Sequence, residues 1–95
     1  MNITNFQVEY LEDPFGILSG DRYEFLLYVD IPEDDELYSE LGVYIRVLYL
    51  VEEGQGKIVH YHIYERSTDR YLDFELEEEE VEEILNFCRN NLPEE

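Results

Sequence analysis

The sequence predicts an α+β fold, in which about five antiparallel strands form a sheet and a C-terminal helix packs on one of its faces. Three observations favour it. Short runs alternate apolar with polar residues, two runs rich in Val, Ile and Tyr flank a Gly-containing connection, and a helical apolar stripe lies near the C terminus. The length of 95 residues suits a single domain over residues 1–95.

The first two strands are predicted from Ile3 to Leu11 and from Arg22 to Ile31. Alternation is clear in the second run, where every second residue is apolar. Pro14 and Gly16 lie between the two runs and supply turn geometry, so we expect the chain to reverse there.

An acidic segment from Pro32 to Gly42 separates the second strand from the third. It fits a short helix, because Pro and acidic residues suit a first helical turn and Gly suits a helix end. It fits an acidic loop equally well, and the sequence leaves both interpretations open.

The stretch from Val43 to Arg66 predicts a β-hairpin and carries both histidines of the chain. We place Gly54 and Gln55 at the turn, and residues opposed across the two strands then share a face. One face carries the apolar residues Leu48, Leu50, Val59, Tyr61 and Ile63. The other face carries Val47, Tyr49, His60, His62 and Tyr64.

A short strand from Arg70 to Leu76 and a helix from Glu77 to Leu92 complete the predicted fold. The helix has one apolar stripe, so it can cover only one face of the sheet. Its members are Val81, Ile84, Leu85, Cys88 and Leu92. Because His and Tyr tolerate water better than Leu does, we expect the helix to cover the face of Leu48 and to leave the histidines exposed.

The charge of the chain narrows the classes of partner. Six basic residues oppose 25 acidic ones, for a net charge of −19. Such a surface repels the phosphates of nucleic acids and anionic membranes, and it attracts basic proteins. The alternative is that the charge serves solubility alone.

The cysteine count and the absence of a targeting pattern predict a cytoplasmic protein. Cys88 is the single cysteine, so an internal disulfide cannot form. Neither a leader pattern nor an apolar run of membrane-spanning length is evident.

His60 and His62 form the clearest candidate for a metal site. They occupy alternate strand positions, so their side chains point the same way and suit one metal ion. Together with Gly54 and Glu65, the run resembles the first metal motif of the cupins, and that resemblance implies a metal-binding double-sheet barrel. Glu65 departs from the motif because it comes early and falls on the opposite face, and the second motif with its third histidine is missing. We therefore expect two histidines on an ordinary sheet face and no metal site.

No other residues assemble a recognisable catalytic or cofactor-binding motif. Cys88 lies on the apolar stripe of the predicted helix, where a buried, inert thiol is expected. The acidic segment lacks the glycine of a calcium loop, and no phosphate-binding glycine loop occurs. We therefore expect neither catalytic residues nor a cofactor.

Tyrosine is unusually frequent, with nine residues concentrated in the strands. Its large apolar body and polar tip suit protein interfaces, although strands favour it in any case. The leading hypothesis is a small, non-enzymatic domain that binds a basic protein, in the manner of nuclease inhibitors, immunity proteins or DNA mimics. The predicted partner-binding residues are Tyr49, His60, His62 and Tyr64.

Two alternatives to this hypothesis stay open. One is a small metal-dependent enzyme that uses His60 and His62. The other is an accessory domain of unknown role that associates with itself through its open sheet face, as a weak homodimer, whereas the leading hypothesis is compatible with a monomer.

Overall fold

The computed structural model describes residues 2–12, 20–35 and 38–93. Five antiparallel strands form one sheet in sequence order, and one helix packs against it, which confirms the predicted fold class. The elements in chain order are β1 (Asn2–Leu11), β2 (Asp21–Asp30), β3 (Val43–Glu52), β4 (Gln55–Glu65), β5 (Tyr71–Leu72) and α1 (Glu78–Asn90). The predicted reversal at Pro14 and Gly16 lies outside the described residues.

The last strand is much shorter than the sequence predicts. Instead of running to Leu76, β5 ends at Leu72, where the N–H of Phe74 donates to the Leu72 carbonyl over 2.9 Å and turns the chain. The N–H of Leu76 then donates to the Tyr61 hydroxyl over 2.9 Å. The alternating apolar residues after Leu72 therefore connect the sheet to the helix and do not extend the strand.

The acidic segment between β2 and β3 contains turns and no helix within its described residues, 32–35 and 38–42. The N–H of Asp35 donates to the Pro32 carbonyl, and that of Gly42 donates to the Ser39 carbonyl, each over 3.0 Å. Of the two interpretations of this segment, the loop agrees with the described part.

The β3–β4 hairpin turns one residue earlier than predicted. Its two central residues are Glu53 and Gly54, with φ angles of 54° and 78°, and Glu52 pairs with Gln55. Positive φ at both central residues is typical of a two-residue hairpin turn whose twist matches that of the strands. The placement of Gly54 and Gln55 at the turn was wrong because Glu rarely adopts positive φ.

A bulge in β4 then shifts the register by one position, which reduces the offset from the predicted pairing from two residues to one. Tyr49 pairs with Ile58 but Leu48 pairs with His60, so Val59 has no partner in β3. Beyond the bulge, each residue of β3 opposes a residue one position away from the predicted one, and Val47 faces Tyr61. A one-residue shift exchanges the faces of a strand, so the predicted faces of β3 and β4 cannot both be right.

The core lies between the helix and the odd-numbered residues of β2 and β3. Val47 and Tyr49 belong to it, together with Phe25, Leu27 and Ile63. The assignment of Val47 and Tyr49 to the open face was therefore wrong. The assignment to the helix side was correct for Tyr61 and Ile63, but not for Leu48 and Leu50, which alternate with core residues, nor for Val59, which is 46% exposed.

Helix α1 contacts both ends of this core. Ile84 and Cys88 are its buried residues, and the Phe87 ring meets Phe6 of β1 edge-on at a centroid distance of 5.1 Å. At its start, the N–H of Glu77 donates to Glu80 Oε1 over 3.1 Å. Acidic residues in the first helical turn suit the positive end of the helix dipole.

No helix in the described parts of the chain has the length and apolar character needed to cross a membrane.

Candidate functional site

The face of the sheet opposite α1 carries no packed element among the described residues, and we call it the open face. Strand alternation defines it, because the neighbouring odd-numbered positions of β2 and β3 belong to the core. Its aromatic and apolar members on four strands, together with Arg46, are Leu26, Tyr28, Tyr44, Arg46, Leu48, Leu50, His60, His62, Tyr64 and Tyr71. The charged residues Arg22 and Glu24 share the same face of β2.

Four tyrosines cross the open face in one line, which we call the tyrosine row. Tyr28, Tyr44, Tyr64 and Tyr71 are successive cross-strand partners on β2, β3, β4 and β5. Adjacent ring centroids lie 6.0, 5.3 and 5.9 Å apart, and the central pair is stacked with an interplanar angle of 18°. Cross-strand aromatic pairs of this kind stabilise a sheet and form a continuous aromatic surface.

Within the tyrosine row, Tyr44 is held in place by burial and by a hydrogen bond. It is buried, and its hydroxyl donates to Asp69 Oδ1 over 2.7 Å. Burial first, and then the hydrogen bond and the negative charge of Asp69, raise the pKa of Tyr44 to about 12. The phenol therefore stays neutral across the physiological range.

Two arginines lie against rings of the row, one at the end ring Tyr28 and one at the inner ring Tyr64. The Arg46 guanidinium is 5.4 Å from the Tyr64 ring centroid, and the Arg66 guanidinium is 4.9 Å from that of Tyr28. Arg46 also places its Nε 3.7 Å from Glu24 Oε1, and Arg66 donates from Nε to the Val43 carbonyl over 3.4 Å. Cation–π contacts of this kind hold both the arginines and the rings in place.

The histidines extend the aromatic surface along β4. His60 and His62 both lie on the open face, as the sequence predicts, with ring centroids 5.2 Å apart. His62 also meets the exposed ring of Tyr71 at 5.9 Å. Tyr64 lies on the open face as predicted, whereas Tyr49 does not.

Tyr49 is a core residue, only 1% exposed, so its placement on a binding surface is corrected. Its ring meets Phe25 edge-on at 6.1 Å and lies over Gly56, where a Cβ atom would overlap the phenol. The glycine therefore makes room for a large side chain within a pleated strand.

The cupin-like ligand set does not assemble. Glu65 lies on the face opposite the histidines, because it pairs with the core residue Val43. Its carboxylate accepts hydrogen bonds from Ser39 over 2.8 Å and Thr68 over 2.9 Å, and these bonds lower its pKa. Within residues 2–12, 20–35 and 38–93, no three His, Cys, Asp or Glu residues are grouped to hold a metal ion.

The lone thiol is placed as a core group. Cys88 is fully buried, and burial raises its pKa to about 12. A thiolate is the reactive form of cysteine, so this environment suppresses nucleophilic chemistry at Cys88.

Sequence reasoning missed Tyr28, Tyr44, Tyr71 and Arg46 as members of the candidate surface. Alternation alone places Tyr28 and Tyr44 on the faces of β2 and β3 opposite the apolar odd-numbered residues. This pattern did not identify the surface, because the faces of β3 and β4 can be matched only when the bulge at Val59 is known.

The chain matches one family model over residues 1–95, that of a family of unknown function. No curated protein matches the chain, and no solved structure does. By its full-length match, the chain belongs to the family of unknown function DUF6509.

Proposed function

We propose that this chain is a non-enzymatic protein-binding domain whose open face docks on a basic protein. The observation that carries the proposal is the tyrosine row, an aromatic surface that crosses four strands with no described element packed over it. Tyrosine and arginine are, with tryptophan, the residues enriched among those that contribute strongly to protein interfaces, and this face presents both.

Electrostatics supports a basic partner. The net charge of −19 creates a negative field that attracts a positive protein from a distance, although Arg46 and Arg66 lie on the face itself. At contact, the two guanidinium groups face the tyrosine rings, and Glu24 accompanies Arg46. Long-range attraction and short-range aromatic contact are therefore contributed by different parts of the molecule.

The same charge argues against strong self-association, because two copies of so acidic a chain repel each other. We propose a monomer, or at most a weak homodimer, until a partner binds. Nuclease inhibitors, immunity proteins and DNA mimics are the classes that share this size and charge, and the likeness is one of composition only. A buried cysteine with no disulfide partner suits the cytoplasm as the place of action.

The proposal is tested by comparing partner capture between variants. The intact chain is immobilised, exposed to lysate at low and high salt, and compared with the double variant Tyr28→Ala, Tyr64→Ala. A matched control, Tyr10→Ala with Tyr38→Ala, removes two exposed tyrosines that lie outside the open face. Melting temperatures of all three proteins are measured first, because Tyr28 and Tyr64 are half-buried.

Support requires a defined basic protein that the intact chain and the control capture, that the face variant loses, and that rebinds in purified form with salt-sensitive affinity. A partner lost equally by both variants, or one that is acidic, would contradict the proposal. Association of the chain only with itself would favour the accessory-domain alternative instead.

A further inference from the structure

Among the described residues, no strand lies along most of the outer edge of β4. Strand β5 pairs with β4 only at Ile63 and Tyr64, so no described strand lies against the edge from Gln55 to His62. An unpaired edge presents backbone N–H and C=O groups to which another extended chain can add.

The direction of these backbone groups follows from the β5 pairing. The N–H of Glu65 donates outward to the Arg70 carbonyl over 2.9 Å. Backbone groups alternate between the two sides of a strand, so those of Ile63 and Tyr61 also point outward. Ile63 meets Leu72 of β5, whereas Tyr61 is the first outward-pointing residue with no strand opposite it.

A groove runs along this free edge. Its far wall is formed by the segment that leaves β5 and by the start of α1, including Asp73, Phe74, Glu75 and Val81. Val59 and Phe74 are 46% and 41% exposed there, so apolar surface lies beside unpaired backbone. A strand edge that faces a helix across an apolar groove is an arrangement that binds extended peptides by strand addition.

The negative charge of the groove favours a positively charged occupant. Two carboxylates, Asp73 and Glu75, line it, and no Lys or Arg lines it among the described residues; His60 and His62 border it toward the open face. We propose that this groove binds an extended, Lys- or Arg-containing segment of a partner protein as an additional strand beside β4.

This inference deepens the proposed function, on which it rests for the basic character of the partner, but it concerns a different surface contact. A second copy of this chain is an unsuitable occupant, because its own net charge of −19 would be brought beside Asp73 and Glu75. The partner class is thus defined by an extended backbone, alternating apolar side chains and positive charge.

The test uses a blocked heptapeptide in which lysine alternates with valine, titrated into the 15N-labelled intact chain. We expect saturable binding, shifts of the backbone amides from Val59 to His62, and slower hydrogen exchange at the Tyr61 amide. An added strand uses the N–H groups of alternate residues only. Of two peptides that are N-methylated on odd or on even residues, one should therefore bind like the parent peptide and the other should lose binding.

Protein variants distinguish binding in the groove from general electrostatic attraction to the acidic chain. Asp73→Asn with Glu75→Gln should weaken peptide binding by about fivefold or more, from the loss of two charge pairs. The control Glu82→Gln with Glu83→Gln removes the same charge from exposed helix positions outside the groove lining and should change binding much less.

Equal weakening by the two pairs of substitutions, or equal binding of the two N-methylated peptides, would overturn the inference. So would the absence of amide shifts between Val59 and His62, or pairing of two copies at this edge without peptide. Because Tyr28 and Tyr64 do not line the groove, the double variant of the capture experiment should still bind the peptide. The two proposals can therefore fail independently.

Discussion

Tyr44 occupies the middle of the tyrosine row, yet it is the most buried of the four rings. Its neighbours Tyr28 and Tyr64 lie on either side, and its hydroxyl is fixed by Asp69. A binding surface built on such a residue is rigid before any partner arrives, which lowers the entropic cost of binding. Tyr71, at 52% exposure, is the member of the row most available for contact.

The environment of Tyr44 predicts a loss of stability in alkali. Its folded pKa of about 12 lies above the ordinary value of 10.0. The folded state therefore favours the neutral phenol, and this contribution is fully present below pH 10 and is lost as the pH rises toward 12. Denaturant melts should show the wild type losing stability more steeply over that window than Tyr44→Phe. Tyr71→Phe, as control, should keep the wild-type slope, and parallel curves for wild type and Tyr44→Phe would contradict the assignment.

The burial of Cys88 predicts an unreactive thiol in the folded protein. With its pKa near 12 and its side chain inaccessible, a disulfide reagent at pH 8 should modify it only through unfolding. The reaction should be slow in buffer and rapid, with one thiol per chain, in denaturant. Fast reaction in buffer would show that α1 opens easily from the sheet.

At the scale of elements, the β3–β4 hairpin determines which residues reach the open face. Its turn places Glu53 at φ 54°, a conformation that costs an ordinary L-residue about 1–2 kcal/mol. The bulge at Val59 then shifts the two strands relative to each other by one position. Together these two irregularities bring Tyr44 opposite Tyr64 and so build the centre of the tyrosine row.

Relieving the backbone strain at Glu53 in the turn should stabilise the protein. Glu53→Asn replaces a residue that is strained at positive φ with one that tolerates it, and we expect a gain of about 1 kcal/mol in the free energy of unfolding. Glu53→Gln removes the same negative charge without changing the backbone preference, so it isolates the electrostatic part. Equal gains from both substitutions by denaturant melt would show that charge, and not backbone strain, limits the turn.

An element could be predicted from the sequence when the pattern that indicates it lies within that element alone. The strands and α1 were predicted because alternation and the helical stripe are read within a single element. The register of the hairpin was not predicted, because no sequence pattern indicates that Glu53 adopts a positive φ or that Val59 has no partner in β3. Tyr49 was misplaced for that reason, whereas His60, His62 and Tyr64 lie on the open face because α1 covers their neighbours Tyr61 and Ile63.

Helix α1 contributes to stability through few residues, and its two central apolar positions differ. Ile84 is 1% exposed and Leu85 is only half-buried. Ile84→Ala should cost about 2–5 kcal/mol, because it leaves a cavity against the sheet, and Leu85→Ala should cost clearly less. Both values are measured by denaturant unfolding. Similar losses for the two variants would mean that the helix is seated with a different face toward β4.

At the scale of the whole molecule, the acidic clusters and the aromatic open face are formed by different segments of the chain. Glu78, Glu79 and Glu80 crowd the start of α1, and further carboxylates occupy the loop after β2. Arg46 and Arg66 lie on the open face beside the tyrosines. In the proposed function, the acidic body supplies long-range attraction that does not depend on the partner's sequence, and specificity comes from the open face and the strand edge.

The excess negative charge predicts that salt stabilises the folded chain. At −19, the carboxylates repel one another more strongly in the compact state than in the extended one, and mobile ions screen this repulsion. Raising sodium chloride from about 0.05 M to about 0.5 M, which shortens the Debye length to a few ångströms, should raise the melting temperature by about 5 °C.

Choline chloride at the same ionic strength should act equally, because screening does not depend on the cation. Glu82→Gln with Glu83→Gln should raise stability at low salt and flatten the salt dependence, since it removes part of the repulsion. A melting temperature that responds to sodium but not to choline would instead indicate cation binding at particular carboxylates, and a flat response to both would show that the folded chain tolerates its charge without strain.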